Sequence, residues 1–363
     1  MINHWQRSCS PNDRQSNNRT PMSDDPKIFQ TDQLPESSIL KPGKTLSLGL
    51  ISNPLSGGNR KGLPIIRKIL ARRPQVFHRE AITPSEVGSA LAEFARSKVD
   101  VVAVNGGDGT IHAVLTEFFG QPSPGPLPLL ALLRSGTASM IARDVGLSGS
   151  ARKALSRLLT WISTGYGSAA VVQRPLLKVE GTPDQKPLYG MFLGAAGICQ
   201  GIRFCLDRVH SKGVSGELAA GVTLGRFLLA AARMDKKLLS PTRATVSLNG
   251  EPSEEREFLL ILISTLERLF LGIRPYWSGE TGVFYYTALG NQPRYLLRTL
   301  PALLRGQKGR FCSPENGYFS RKTREVRLTL TGGFTLDGEL YDLGNQATEL
   351  IITEGGKASF LKL

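Results

Sequence analysis

The sequence predicts an α/β fold that changes character midway: a parallel sheet clad by helices, followed by a mostly antiparallel β region. Three observations carry this. Apolar runs and amphipathic segments alternate over residues 45–165, which is the pattern of a parallel sheet with helices on both faces. From residue 166 onward, short β-type runs stand between Gly, Pro and Asn turns with few helices between them, which is the antiparallel pattern. Finally, 363 residues are too many for one ordinary core, and 40% hydrophobic residues suffice for two.

The elements follow in order. Residues 1–44 are rich in Ser, Asn, Asp, Pro and Gln, so a disordered tail is expected there. It has no apolar stretch of the kind a secretory signal needs. Leu46 to Ser52 reads as a strand, Asn53 to Gly62 as a glycine-rich loop, and Leu63 to Leu70 as an amphipathic helix. Gln75 to Thr83 is a second strand, with its helix over Pro84 to Ser97. Val99 to Val104 is a third, and Asn105-Gly106-Gly107-Asp108-Gly109-Thr110 leads from it into a helix marked by Ile111, Val114, Leu115 and Phe118. Leu129 to Leu133 is the fourth, followed by Arg134-Ser135-Gly136-Thr137-Ala138-Ser139 and a helix carrying Met140, Ile141, Val145 and Leu147. In the second half, strands are expected at Ala169–Val172, Leu176–Val179, Ala244–Leu248, Phe258–Ser264, Thr281–Tyr286, Val326–Leu330 and Glu349–Thr353. The helices expected there are Leu218–Met234 and Arg294–Leu304.

The glycine turns point to phosphate. A helix N-terminus presents free N–H groups and a positive dipole end, and glycine lets a polyphosphate approach the backbone. A single carboxylate in such a turn, Asp108, suits a Mg²⁺ ion held on the phosphates, although a helix N-cap is the plainer use of it. The first loop lacks the Lys-Ser/Thr ending of a P-loop. Turns of this kind converge at the carboxyl ends of a parallel sheet, where such folds bind ligands.

Taken together, Asn53-Pro54-Leu55-Ser56-Gly57, Gly106 to Thr110, Gly136 to Arg143 and the late Leu336-Asp337-Gly338-Glu339 resemble the motifs of the diacylglycerol kinase and sphingosine kinase superfamily, in the same order. The resemblance covers about residues 45 to 363. It implies a nucleotide-binding α/β kinase domain over 45–165 and a β-sandwich lipid-substrate domain over 166–363, with the active site in the cleft between. It further implies an ATP- and Mg²⁺-dependent lipid kinase acting on a hydroxyl of a diacylglycerol-like or other long-chain lipid alcohol. In that reading Asp337 is the catalytic base, and Asp108 anchors Mg²⁺ and phosphate, directly or through water. Asn53, Ser56, Gly57, Thr83, Gly107, Gly109, Thr110, Gly136, Thr137 and Glu339 hold the nucleotide, Thr83 near the adenine. Without the other motifs, Asp337-Gly338 reads as a hairpin turn.

The chain departs from the family pattern at two places that bear on the chemistry. Ser139-Met140 replaces the usual Asn-Asp, and Asp144, four residues on, is either a substitute charge or simply exposed. His112 stands where sphingosine kinases carry His and most diacylglycerol kinases carry Asn. Two alternatives remain: an NAD kinase-like enzyme, whose Asn-x-Asp-rich adenosine region is not found here, and a non-catalytic lipid-binding relative.

Charge and cysteine usage bound the partners. Of the formal charge of +15, the tail carries only +1. Basic residues recur with apolar ones over Arg226 to Lys237 and Arg294 to Arg310, a pattern suited to an anionic membrane surface at about 1 kcal/mol per Lys or Arg. A solvated helix face packed on a sheet is the alternative. The chain has no recognised nucleic-acid motif, so no nucleic-acid partner is expected. No apolar run reaches the length of a spanning helix. Cys9, Cys199, Cys205 and Cys312 are scattered and read as reduced, buried thiols. The expected location is cytoplasmic, peripherally membrane-associated, with a homodimer left open. His4, His78 and His210 show no partner pattern.

Overall fold

A computed structural model describes residues 46–121, 126–136, 139–164, 169–202, 241–269 and 272–363. The expected tail, the helix over Leu218–Met234 with its basic stretch, and Cys9, Cys205, His4 and His210 lie outside the described residues.

Four strands open the fold: β1 (Leu48–Ser52), β2 (Phe77–Glu80), β3 (Val101–Gly106) and β4 (Leu129–Arg134). They lie in the order β2-β1-β3-β4, every pairing parallel. All residues of β1 and β3 are buried, as parallel strands covered on both faces must be. Successive side chains point to opposite faces. Ile51, Val102 and Val104 therefore pack with α2 (Pro84–Arg96) and α3 (Asp108–Gly120) through Val87, Phe94, Ile111 and Leu115. Leu50, Val101 and Ala103 pack on the other side with α1 (Asn59–Leu70) and α5 (Ala151–Thr164) through Leu63, Ile66, Leu155 and Leu158. Between them α4 (Met140–Asp144) is a short helix of 5 residues.

Two helices differ from the sequence reading, one in where it starts and one in being unexpected. Helix α1 begins at Asn59, inside the glycine-rich loop, because the buried Asn59 amide donates to the carbonyls of Asn53 and Asn105, both at 2.8 Å. The tertiary hydrogen bonds outweigh the loop-forming preference of Gly58 and Gly62. The spacing of Ala154, Leu155, Leu158 and Ile162 marks α5, an element absent from the reading above.

The remaining strands are β5 (Ala170–Glu180), β6 (Leu188–Gly190), β7 (Phe192–Ala196), β8 (Thr242–Leu248), β9 (Glu254–Ser264), β10 (Phe284–Gly290), β11 (Tyr318–Thr323), β12 (Val326–Leu336) and β13 (Glu339–Lys362). Their mutual pairings are antiparallel. Strands β9 and β12 each fork: one part pairs with β8, another with β7. Leu193, Ile261, Phe284, Val326, Phe334 and Leu350 belong to the buried core of this region.

Two strands expected separately, Ala169–Val172 and Leu176–Val179, are one. Strand β5 runs through Pro175, opposite Lys357, where the ladder to β13 shifts register between Glu354 and Lys357. The irregularity accommodates a residue that cannot donate to the ladder. Strand β13 is far longer than Glu349–Thr353. It starts at Glu339, forms a hairpin with β12, and ends beside the parallel sheet, where Phe360 pairs with Leu130 of β4. The same strand thus carries the Asp-Gly-Glu end and is anchored in the parallel sheet at its other end. Helix α6 (Leu296–Leu304) buries Leu296 and Leu303 against Leu259, Cys312 and Tyr318.

Candidate active site

The three glycine turns meet at the carboxyl ends of β1, β3 and β4, and they are tied to one another. Asn53 donates its side-chain amide to Thr110 Oγ1 at 3.0 Å. The Gly107 N–H donates to Ser56 Oγ at 3.1 Å, and the Gly58 N–H to the Ser135 carbonyl at 2.8 Å. Gly136 lies so near Gly107 that a Cβ built on it falls 2.6 Å from Gly107 Cα. Only glycine allows that approach.

Beside these turns lies a cleft of about 570 Å³. It is lined by Asn53, Ser56, Thr83, Gly107, Gly109, Thr110 and Glu339, each expected at the site. Thr83 also caps α2, accepting from the Glu86 N–H while the Glu86 carboxylate accepts from the Thr83 N–H. A Cβ on Gly109 would fall 1.8 Å from Glu339 Oε1, so the N-terminal turn of α3 and the start of β13 touch at a residue without a side chain. Gly57 is exposed in its loop and Gly136 stands behind Gly107; neither is on the cleft wall. Thr137 lies outside the described residues.

The two catalytic carboxylates of the sequence reading lie behind the wall. Asp108 Oδ2 accepts from the Met140 N–H at 2.9 Å and Oδ1 from the Ile141 N–H at 3.1 Å. Asp108 thus ties the second turn to the start of α4. Burial pushes its pKa up to about 6, against the opposing pull of those two amides. Asp337 and Gly338 form the two-residue turn between β12 and β13, with φ of +52° and +92°. Both residues of such a turn need positive φ. The turn points the Asp337 carboxylate inward, where it is 0 % exposed and accepts from the N–H groups of Met191 and Phe192. Burial raises its pKa well above the carboxylate range, and the nearby Asp108 and Glu339 add to the rise. The hairpin turn and the buried carboxylate are therefore one feature, not rival readings.

Residues that the sequence reading left without a role complete the wall: His112, Thr116, Glu117, Asp184 and Tyr341. In the sequence His112 stands out only as a departure from most diacylglycerol kinases. Its place one helical turn after Asp108 was the available signal. His112 Nδ1 stands 2.9 Å from the Tyr189 carbonyl, so Nδ1 carries the proton and Nε2 accepts from the Tyr341 hydroxyl at 2.6 Å. Burial lowers the His112 pKa to about 4, so the ring is neutral near pH 7. Asp144 is neither exposed nor turned to the cleft. It is buried and pairs with Arg174, which also holds Glu267 at 2.7 Å.

The glycine cradle fits a polyphosphate: backbone N–H groups at the start of α3, with Gly107 and Gly109 giving close access. A cation is different. Among the described residues no three Asp, Glu, His or Cys side chains converge on one point, and both Asp108 oxygens already accept amides. Among the described residues the protein groups alone do not form a Mg²⁺ site. Mg²⁺ on a nucleotide keeps phosphate and water oxygens as most of its ligands.

Residues 47–166 match the family model of the diacylglycerol kinase catalytic domain. A diacylglycerol kinase structure from Bacillus anthracis str. Sterne is similar over 88% of this chain and 97% of its own, with TM-score 0.55 and 16% identity. A putative diacylglycerol kinase from the same organism gives 0.58 and 17% over the same shares. At such identity the likeness is one of fold. No curated protein matches the chain. Among the described residues no helix is long and apolar enough to cross a membrane.

Proposed function

We propose that the chain is an ATP- and Mg²⁺-dependent lipid kinase that phosphorylates a hydroxyl of a diacylglycerol-like or other long-chain lipid alcohol. One observation carries the reading: the first two glycine turns and the Asp-Gly-Glu strand line one cleft, in contact at Gly109 and Glu339, with the third turn packed behind Gly107. The triphosphate lies against Gly107, Gly109 and the start of α3, and Ser56 and Thr110 offer hydroxyls to it. The adenine end faces Thr83, with Leu55, Ile82 and Val87 as its apolar surroundings. Bound Mg²⁺ neutralises charge on the transferring phosphoryl group. Asp108 reaches that region through water at most, because its oxygens hold α4 in place. The positive surface around α6, where Tyr295 and Leu297 are 50% and 65% exposed, supports docking on an anionic membrane.

The test is transfer of labelled phosphate from Mg·ATP to a panel of dioctanoylglycerol, monooleoylglycerol and sphingosine, with NAD as control. The expected result is an alcohol phosphate from wild type and none from a folded Asp108→Ala variant. Labelled NADP would establish the NAD kinase-like alternative instead. Lipid binding without any transfer would establish the non-catalytic one.

A further inference from the structure

Asp337, the base that the motif implies, does not reach the cleft. It is 0 % exposed, and a Cβ on Gly190 would fall 2.5 Å from its Oδ2. The group between Asp337 and the cleft is His112. Its Nδ1 lies 3.8 Å from Asp337 Oδ2, and its Nε2 accepts from the Tyr341 hydroxyl. Both His112 and Tyr341 line the cleft.

The fold sets this pair by register. Glu339 and Tyr341 share one face of β13, a strand repeat of about 6.8 Å apart. Gly109 and His112 share one face of α3, about 4.5 Å apart along the axis. The two rows face each other, so Glu339 meets Gly109 and Tyr341 meets His112. The Tyr341 ring is held by stacking on Phe334, its partner across the hairpin, at 5.0 Å between centroids and 12° between planes. The His112 tautomer is held by the Tyr189 carbonyl. Each atom needed to pass a proton inward is in place.

We propose that Tyr341 receives the proton of the acceptor hydroxyl and passes its own to His112 Nε2, with Asp337 packed behind the imidazole and positioning it. This rests on reading the cleft as that of a phosphotransferase using a nucleoside triphosphate. In the step, the acceptor oxygen forms a bond to the γ-phosphorus and the bond from that phosphorus to the β–γ bridging oxygen breaks. The acceptor proton moves to Tyr341 Oη as the Tyr341 proton moves to His112 Nε2. The products are the alcohol phosphate and a nucleoside diphosphate, and the proton returns to solvent by the same two atoms when they leave. Tyr341 is the catalytic residue, since it touches the acceptor. His112 and Asp337 act through it and are positioning residues.

The experiment uses the full chain and two variants. Tyr341→Phe removes one oxygen and keeps the stack on Phe334. His112→Gln keeps an acceptor for Tyr341 but cannot take a proton. Each is compared with wild type for ATP affinity by calorimetry, for thermal midpoint, and for kcat and KM with whichever panel alcohol wild type phosphorylates fastest. The expected result is kcat lower by roughly 10²-fold or more, the scale of positioned acid–base catalysis, with ATP affinity and acceptor KM within about threefold of wild type. If Tyr341→Phe keeps wild-type kcat, the relay is wrong. If kcat, ATP affinity and thermal midpoint fall together in both variants, the pair is a structural tie and the relay is wrong. Should His112→Gln fail to fold, Tyr341→Phe decides alone. A wild type that binds ATP and transfers to no alcohol would overturn the kinase reading, and the relay with it. That outcome is distinct from active wild type with unaffected variants.

Discussion

Replacing Gly136 by alanine tests whether the second and third glycine turns act as one cradle. The new Cβ would lie 2.6 Å from Gly107 Cα and 3.1 Å from Ser139 Oγ. Carbon atoms rest at about 3.5–4.0 Å, so the two turns must part by about 1 Å. The neighbour is backbone and cannot swing aside. Overpacking of this kind costs about 1–3 kcal/mol. Movement of Gly107 also strains its hydrogen bond to Ser56, which stands at 3.1 Å. Because Gly107 lines the cleft, the cost falls on the proposed nucleotide site. ATP affinity is expected to weaken at least tenfold, about 1.4 kcal/mol. The transfer rate should fall by about 10²-fold, as a misplacement of about 1 Å can cause. Gly62→Ala is the control: nothing lies within 4 Å of its Cβ, inside α1. It should stabilise the fold by about 0.4–1 kcal/mol. The assay is calorimetric ATP titration beside urea denaturation of both variants. Unchanged ATP affinity and stability in Gly136→Ala would refute the contact between the turns.

Two further outcomes are expected. Asp108, raised in the fold to about 6, and His112, lowered to about 4, give opposite pH slopes of stability between them. The folded state binds more protons at Asp108 than the unfolded chain, so that contribution is present at low pH and is lost as pH rises through about 6. His112 is the reverse: the unfolded chain takes its proton first, so stability falls as pH drops from the ordinary histidine value towards about 4. Asp108→Asn should therefore steepen the acid loss of stability and His112→Gln should flatten it, each by up to about 3 kcal/mol over the window; parallel profiles in denaturation series at pH 4 to 7 would contradict both assignments. On the membrane side, Leu297→Asp should weaken sedimentation with phosphatidylserine vesicles but not with neutral ones, and salt should weaken the wild type, since exposed charge is screened within about 8 Å at physiological ionic strength. Equal binding to both vesicle types would give the charge another purpose.

By itself the sequence located the strands β1, β3 and β4, the turns after them and the residues on the glycine-turn side of the cleft. Those features are local. An apolar run, a glycine turn and an amphipathic helix each lie within a dozen residues, and their periodicity is written in the chain. The same locality explains the capping box at Thr83, legible in Thr83 and Glu86. What the sequence did not hold was direction. Asp108 and Asp337 are both in family-like motifs, yet which way a carboxylate faces depends on amides more than thirty residues away in sequence: Met140 and Ile141 for one, Met191 and Phe192 for the other. The full length of β13 was also hidden, because its residues alternate polar and apolar only weakly and its far end is held by pairing with β5 and, at Phe360, with β4. The contact of His112 with Tyr341 spans 229 positions and arises only when a helix and a strand of different repeat are laid side by side. Burial then makes that contact chemically consequential, since it removes the water that would otherwise satisfy both groups.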